Sequence, residues 1–163
     1  MKKKYRVLGI DCGTAIVGCA VLEKTRKKID IINYGDIRTK AKQKIDSRLN
    51  DIFLAINTII EKYKPTDMAV EDLFFFKNNK TVISVSEARG VILLSGAIHG
   101  LNIKGYTPLQ VKMSVTGYGR AEKKQIQFMV TKILQLKEIP KCDDIADALA
   151  IAFCHLNSVD SIK

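Results

Sequence analysis

The stretch that decides the fold is residues 7–14, Val7-Leu8-Gly9-Ile10-Asp11-Cys12-Gly13-Thr14. An apolar run that ends in a single carboxylate predicts a buried strand that reaches the surface at Asp11. A carboxylate in that position is costly unless it meets a cation or a hydrogen-bond donor. Gly13 permits a tight turn, and residues 15–22 predict a strand that returns beside the first. We therefore expect Asp11 at the rim of a β-hairpin.

Outward from this hairpin, the sequence predicts a third antiparallel strand and then alternating helices and strands. Residues 29–37 are strand-like, and apolar residues recur at helical spacing over 44–63, which predicts an amphipathic helix that ends before Pro65. The other expected elements are a strand at 67–72, a helix at 82–100, a strand at 103–107, a short helix from Pro108, and helices at 122–136 and 142–157. This order, βββαβαβααα, predicts an α/β fold with a mixed sheet.

Length and composition favour one domain over residues 1–163, since the chain has 163 residues of which 47% are hydrophobic. No run approaches the roughly 18 apolar residues of a membrane span. The basic start, residues 2–6, is soon followed by the charged Asp11, which argues against a signal peptide. We expect a cytoplasmic protein. Its four cysteines form no CxxC pair and are expected to be reduced, mostly buried thiols: Cys12, Cys19, Cys142 and Cys154.

The chain is strongly basic, with 27 Lys and Arg against 17 Asp and Glu and a net charge of +10. Such a balance favours a polyanionic partner. It is also compatible with a lysine-rich, solvated surface, and composition alone leaves both interpretations open.

Three separate elements carry acidic residues beside apolar ones: Asp11, Glu71 with Asp72, and Asp144 with Asp147. The last two are three residues apart, so they share a face near the start of the final helix. If the three elements converge, their like charges repel until a divalent cation neutralises them, and oxygen ligands favour Mg²⁺ or Mn²⁺ over zinc. The alternative is a set of helix caps and surface acids.

Seven short motifs, in order along nearly the whole chain, resemble the RuvC-type Holliday-junction resolvases of the RNase H-like superfamily. They are Gly9-Ile10-Asp11-x-Gly13-Thr14, Val70-Glu71, Phe74, Ala88-Arg89-Gly90, Gln110-Val111-Lys112, Ala121-Glu122-Lys123 and Asp144-x-x-Asp147-Ala148-Leu149-Ala150. The resemblance implies an RNase H-like mixed five-stranded sheet flanked by helices. It also implies a homodimer in which four carboxylates of each protomer bind two divalent cations.

Carried over residue by residue, the resemblance implies four ligands for two Mg²⁺ (or Mn²⁺) ions: Asp11, Glu71, Asp144 and Asp147. Asp72 and Asp143 lie outside the motifs. The implied activity is that of a structure-specific endonuclease, which resolves four-way DNA junctions by paired symmetric nicks during homologous recombination and repair. Two-metal hydrolysis would leave 3′-hydroxyl and 5′-phosphate ends. Cys12 replaces the family's usual proline, a change that leaves the carboxylate of Asp11 in place.

The resemblance also implies residues that contact DNA. Lys112 and Lys123 match basic residues near the scissile phosphate, where their charge offsets developing negative charge. Phe74 matches an aromatic residue that stacks on bases at the junction centre. Weaker candidates for phosphate contacts are Lys77, Lys80, Arg120 and Lys124. The alternatives are solvated lysines and, for Phe75 and Phe76 in particular, a place in the core or a dimer interface.

The implied partners are four-way junction DNA, a second copy of the chain, and the branch-migration proteins RuvA and RuvB. The helix at 82–100 carries Gly90, Gly96 and Ala97, which would let two copies approach closely or would ease packing on the sheet. Two other classes stay open. A non-catalytic junction-binding module would not need four carboxylates, whereas an actin-like ATPase would need two lobes and a second acidic phosphate motif.

Overall fold

In the part of the chain that the structure describes, five strands and five helices follow one another in the predicted order. The computed structural model describes residues 5–26, 28–72 and 79–160, without the side chains of Asn79, Lys80 and Asp160. The elements are β1 (Tyr5–Asp11), β2 (Ile16–Lys24), β3 (Ile29–Arg38), α1 (Ile45–Tyr63), β4 (Asp67–Glu71), α2 (Asn79–Ile98), β5 (Asn102–Tyr106), α3 (Pro108–Thr116), α4 (Lys123–Ile133) and α5 (Asp143–Asp160). Phe74 and Lys77 lie outside the described residues, as do Phe75, Phe76 and the side chain of Lys80.

The sheet has the order β3-β2-β1-β4-β5 and is mixed, as expected. β1 pairs antiparallel with β2, which pairs antiparallel with β3, whereas β4 pairs in parallel with both β1 and β5. Ile10 of β1 lies beside Val70 of β4. Asp11 and Glu71, one residue further along each strand, therefore end at the same edge of the sheet.

The helices cover both faces of the sheet, so the central strands are buried on both sides. Under α1 and α2 lies one apolar cluster, which includes Leu8, Ile10, Ile52, Ile56, Met68, Val70, Ala88 and Ile92. Under α3, α4 and α5 lies a second cluster, which includes Val7, Ala69, Tyr106, Val111, Ile126, Leu149 and Ile151. The continuous apolar run of β1 supplies both clusters, because successive side chains of a strand point to opposite faces.

Local signals set several helix ends. Lys64 adopts a left-handed conformation with φ of 49° and closes α1 just before Pro65. Thr107 caps α3, in which Pro108 is the first residue, and Thr107 and Gln110 form a reciprocal capping box. These ends are as the sequence predicts.

α2 corrects one expectation from the sequence and, at Gly96, favours one of two open alternatives. Its segment Thr81–Ile98 has the length and composition of a membrane span, and 22% of it is buried. Helices that pack on a sheet share this length and composition, and Ala88, Ile92 and Ser95 of α2 are completely buried. Gly96 also faces the sheet rather than a second copy of the chain, since a Cβ there would lie 2.9 Å from Sδ of Met68.

The outer face of α2 carries exposed apolar side chains together with the exposed Glu87. Its most exposed large apolar side chains are Ile83 at 67%, Leu94 at 54% and Ile98 at 61%. Gly90 lies on this face, where an added Cβ would meet nothing within 4 Å. The spacing 83, 90, 94 and 98 forms a single stripe along the helix, which we term the exposed face of α2.

Candidate active site

Asp11 is the last residue of β1 and lies at the rim of the β1–β2 hairpin, as predicted. The turn depends on Gly13 for a different reason than expected. Gly13 is not in a positive-φ conformation, but a Cβ at this position would lie 2.1 Å from the carbonyl oxygen of Ile16. Close backbone approach therefore requires the glycine.

α5 brings the second pair of acids to the same edge, because two glycines let its backbone rest directly on the strands. A Cβ at Gly18 would lie 1.9 Å from the carbonyl oxygen of Asp144, and one at Gly9 would lie 2.5 Å from that of Ala148. The first turns of α5 are thereby fixed beside the end of β1. Asp144 and Asp147 occupy those turns.

Four of the predicted site residues share one cavity of about 230 Å³: Glu71, Lys112, Lys123 and Asp147. Apolar walls from α3, α4 and α5 complete it: Pro108, Val111, Ile126 and Ile151. This cavity therefore lies where the end of β4 meets the first turns of α3 and α4 and the side of α5. Asp144 lies on the other side of this edge, where it borders a separate groove.

The carboxylates influence one another electrostatically. Burial, followed by the charges of Asp147, Glu71 and Asp144, raises the pKa of Asp11 from 3.8 to about 8, while Lys123 partly offsets the rise. Burial also raises the pKa of Glu71, with Asp147 as the next cause. The pKa of Asp147 is raised by burial as well, against the opposing effect of Lys123. The site therefore holds more negative charge than its own cations compensate.

Lys123 forms an ion pair with Asp147, and the sequence did not reveal this pairing. Its Nζ lies 3.2 Å from Oδ2 of Asp147 and 3.4 Å from Oδ2 of Asp143. Burial lowers the pKa of Lys123, but these two acids more than reverse that effect and raise it overall. The lysine expected at the scissile phosphate thus neutralises acids of α5 in this structure.

The donor set fits a hard divalent cation, since it consists of carboxylate oxygens with uncompensated charge. Within residues 5–26, 28–72 and 79–160, no three His, Cys, Asp or Glu side chains lie close enough together to form a metal site as they stand. Burial and then the neighbouring carboxylates raise the pKa of Asp11, because both disfavour its charged form. A cation among the four carboxylates would reverse this rise.

Arg89 adds a contact that the motif did not explain. Its Nε donates to the carbonyl oxygen of Glu71 at 3.3 Å, and its Nη2 donates to Oδ1 of Asp72 at 3.0 Å. Gly105 leaves the space that Asp72 occupies, because a Cβ there would lie 2.2 Å from the same oxygen. Arg89 and Gly105 therefore hold Asp72 against β5, and Arg89 fixes the backbone of Glu71. An arginine in the middle of a largely apolar helix was the available sequence signal.

The remaining predicted contacts are dispersed. Lys124 lines a different cavity of about 420 Å³, with Tyr118 and Phe128 among its walls. Arg120 lies in the turn between α3 and α4, next to that cavity's Ala121. Neither side chain joins the cavity of Glu71 and Asp147.

The four cysteines are free thiols. Cys19 and Cys154 are buried as expected, whereas Cys12 and Cys142 are half-buried. Burial, together with the neighbouring charge of Asp11, raises the pKa of Cys12 to about 12. The thiol of Cys142 donates to Oδ2 of Asp144 at 3.1 Å.

Comparison with known proteins gives one consistent family. The model of the family described as crossover junction endodeoxyribonuclease RuvC matches residues 7–155. The chain is 56% identical to the RuvC of Fusobacterium nucleatum over 96% of this chain and 82% of that one. It is also 56% identical to the RuvC of Halothermothrix orenii over 93% and 92% of the two chains. The structure of Thermus thermophilus RuvC in complex with Holliday junction substrate has a TM-score of 0.90 at 31% identity, covering 96% of each chain.

Proposed function

Because this chain belongs to the RuvC family of crossover junction endodeoxyribonucleases, with their RNase H-like fold, we propose that it resolves four-way DNA junctions by hydrolysing phosphodiester bonds at the edge where β1, β4 and α5 meet. The observation that carries this proposal is the environment of Asp11. A half-buried carboxyl whose pKa is raised by burial and by the charges of three other acids suits a nuclease that depends on divalent metal.

The proposed metal ligands are Asp11, Glu71, Asp144 and Asp147. Family membership makes the enzyme metal-dependent, and we propose two Mg²⁺ or Mn²⁺ ions per site. When bound, such ions supply an activated water on one side of the phosphodiester and stabilise the leaving 3′ oxygen on the other. The expected products are nicks with 3′-hydroxyl and 5′-phosphate ends.

The two lysines of the cavity act on the phosphate. Lys123 pairs with Asp147 in this structure. Its ammonium is released once that carboxylate is otherwise neutralised, and it then offsets charge at the scissile phosphate. Lys112 lines the same cavity and lowers the pKa of Glu71, so it approaches the phosphate from the side of α3.

A homodimer follows from the geometry of the substrate. Two nicks placed symmetrically need two sites related by a two-fold axis, and one protomer carries one such site. The exposed face of α2, with Ile83, Gly90, Leu94 and Ile98, is the proposed contact. Recruitment by RuvA and RuvB and a cytoplasmic location stay predictions, as do the DNA contacts of Phe74, Lys77, Lys80, Arg120 and Lys124.

The test compares substrates with purified protein and Mg²⁺. A four-way junction and a linear duplex of matched sequence are incubated separately, and the ends of the products are mapped. We expect paired nicks at symmetric positions in the junction only, with ligatable 5′-phosphates. Binding of the junction without metal-dependent nicking would instead indicate a non-catalytic junction-binding module.

A further inference from the structure

A second groove, of about 400 Å³, opens beside the metal ligands and contains neither of the two lysines that act on the scissile phosphate. Its walls are the β1–β2 turn at residues 13–16, Arg48 of α1, and the first turns of α2 with Thr81, Ser84 and Val85. Asp144 forms its border with the active site. Whatever occupies this groove therefore lies next to the reacting phosphodiester.

The groove is lined by donors suited to an anion. Arg48 is held in place because its Nε and Nη2 donate to the carbonyl oxygens of Lys40 at 3.2 Å and Ala41 at 2.6 Å. An arginine fixed in this way loses little freedom when it binds a phosphate. Thr81 lies in the first turn of α2, where the helix dipole also favours negative charge. Ser84 lines the groove as well, and its hydroxyl donates to the carbonyl oxygen of Thr81 at 3.1 Å.

Thr14 supplies an independent observation. Thr14 is 8% exposed, and its side-chain oxygen is buried with no hydrogen-bond partner among the described residues. Buried polar groups in native proteins are nearly always paired. The turn that carries Thr14 is fixed, because Thr39 donates through Oγ1 to the carbonyl oxygen of Thr14 at 2.7 Å and through its backbone N–H to that of Ala15 at 3.1 Å. Thr14 is itself one of the residues that line the groove.

We propose that this groove binds a backbone phosphate of the strand being cut, close to the scissile phosphate. The proposal rests on the proposed junction-cleaving function and adds a binding subsite to it. Arg48 neutralises the phosphate, while the hydroxyls of Thr14 and Thr81 donate hydrogen bonds to its oxygens. Among the described lining residues the one carboxylate is Asp144, a proposed metal ligand, so its charge is offset in the complex that cuts DNA.

The decisive experiment removes the charge either of Arg48 or of one DNA phosphate. Single methylphosphonates are placed at successive positions of the cleaved strand, and single-turnover cleavage is measured with wild type and with Arg48→Gln. At one position near the cut we expect the methylphosphonate to slow wild type about tenfold, and Arg48→Gln to slow the unmodified junction similarly. The combination should be no slower than either change alone, because both remove the same contact.

Arg26→Gln is the matched control, since Arg26 is exposed in the β2–β3 turn at the other end of the sheet. It should retain wild-type cleavage and show the wild-type response to every methylphosphonate. In junction binding, Arg48→Gln should also reduce the slope of log affinity against log salt by about one relative to wild type.

The variant Thr14→Val separates a loss of phosphate binding from a loss of folding stability. Valine has nearly the same shape and removes an unpaired buried hydroxyl, so the melting temperature should stay the same or rise. Cleavage should nevertheless slow, because the phosphate loses a donor. If Arg48→Gln and the methylphosphonates slow cleavage additively at every position, or Thr14→Val cuts as fast as wild type, the groove does not bind phosphate. Absence of cleavage by wild type would instead contradict the proposed nuclease function.

Discussion

At the scale of single residues, the folded protein disfavours the charged form of the Asp11 carboxyl and so raises its pKa. This carboxyl ionises near pH 3.8 in an unfolded chain and near pH 8 in the folded, metal-free protein. Between these values the folded state binds the extra proton, so metal-free stability falls as pH rises from about 4 to 8. A divalent cation that binds only the folded state would restore that stability.

Asp11→Asn should therefore stabilise the metal-free protein at alkaline pH while abolishing cleavage. Each pKa unit corresponds to about 1.4 kcal/mol, so we expect a gain on the order of several kcal/mol in unfolding free energy above pH 8, shrinking toward pH 4. Thermal melting in EDTA across this range is the measurement, with Mg²⁺ added to wild type as a control. Equal melting temperatures for the two proteins at pH 8.5 would show that the charged form of Asp11 does not destabilise the metal-free protein.

Arg89 is a positioning residue, because it holds the backbone of Glu71 rather than the reacting groups. Arg89→Met should raise the Mg²⁺ concentration needed for half-maximal cleavage several-fold and reduce stability by about 1 kcal/mol. Junction binding at fixed salt should change little. Arg89→Lys should recover part of the loss, because it retains the charge but not the planar fork. A purely structural role would lower stability and leave the Mg²⁺ requirement unchanged.

The sequence indicated which acids meet at the candidate site, but it did not indicate which side chains pair with them. A carboxylate at Asp147 among apolar neighbours predicts that a partner exists. That partner, Lys123, lies on another helix, so its identity depends on how α4 packs against α5. Asp72 stands beside Glu71 in sequence and lies outside the family motifs, but only the structure shows that it contacts Arg89 and packs against Gly105 instead.

At the scale of elements, the position of α5 on the sheet decides where Asp144 and Asp147 lie. Gly18 is the closest point, since its missing Cβ would reach the backbone of Asp144. Gly18→Ala must therefore displace the start of the helix. Cleavage should fall at least about a hundredfold, as expected for ångström-scale misplacement of catalytic groups, and stability should fall by about 1–3 kcal/mol.

Gly35→Ala provides the matched control, because Gly35 lies on β3 in the same sheet and a Cβ there meets nothing within 4 Å. Its activity and melting temperature should stay close to those of wild type. Single-turnover cleavage and thermal melting of the two variants together make the comparison. Wild-type activity in Gly18→Ala would show that close seating of α5 is unnecessary.

Element types and order follow from apolar periodicity, whereas several ends do not. α4 stops at Ile133, before the predicted Leu136, because Gln135 adopts a left-handed φ of 54°. α5 continues to Asp160, beyond the predicted Asn157. α2 begins at Asn79, where polar residues give no periodic signal. These ends depend on tertiary contacts that a local pattern does not contain.

At the scale of the whole molecule, the exposed face of α2 accounts for the expected dimer better than the glycines that first indicated it. Leu94→Glu places a charge in the middle of this face and should yield monomers that still fold. Sedimentation at nanomolar to micromolar concentration is the measurement. Ile139→Glu, at a similarly exposed apolar residue between α4 and α5, should remain dimeric. If Leu94→Glu remains dimeric, the interface does not lie on the exposed face of α2. If wild type is monomeric and still makes paired nicks, the proposed dimer is wrong.

The architecture of the molecule was accessible from the sequence because the strand and helix periodicities are strong, and the RNase H-like sheet is confirmed. The single domain over residues 1–163 stays a prediction. The grooves beside the proposed metal ligands could not be predicted from the sequence, since each is assembled from at least three elements that are distant in sequence.

The central claim, that the acids of β1, β4 and α5 form the cutting site, is tested most directly by comparing two neighbouring acids of α5. Asp147→Asn and Asp143→Asn each remove one charge beside Lys123, but only Asp147 is a proposed metal ligand. With Mg²⁺ and a four-way junction, Asp147→Asn should bind DNA normally and cut at least about a hundredfold more slowly, while Asp143→Asn should cut within a few-fold of wild type. Cleavage at the wild-type rate by Asp147→Asn would contradict the account.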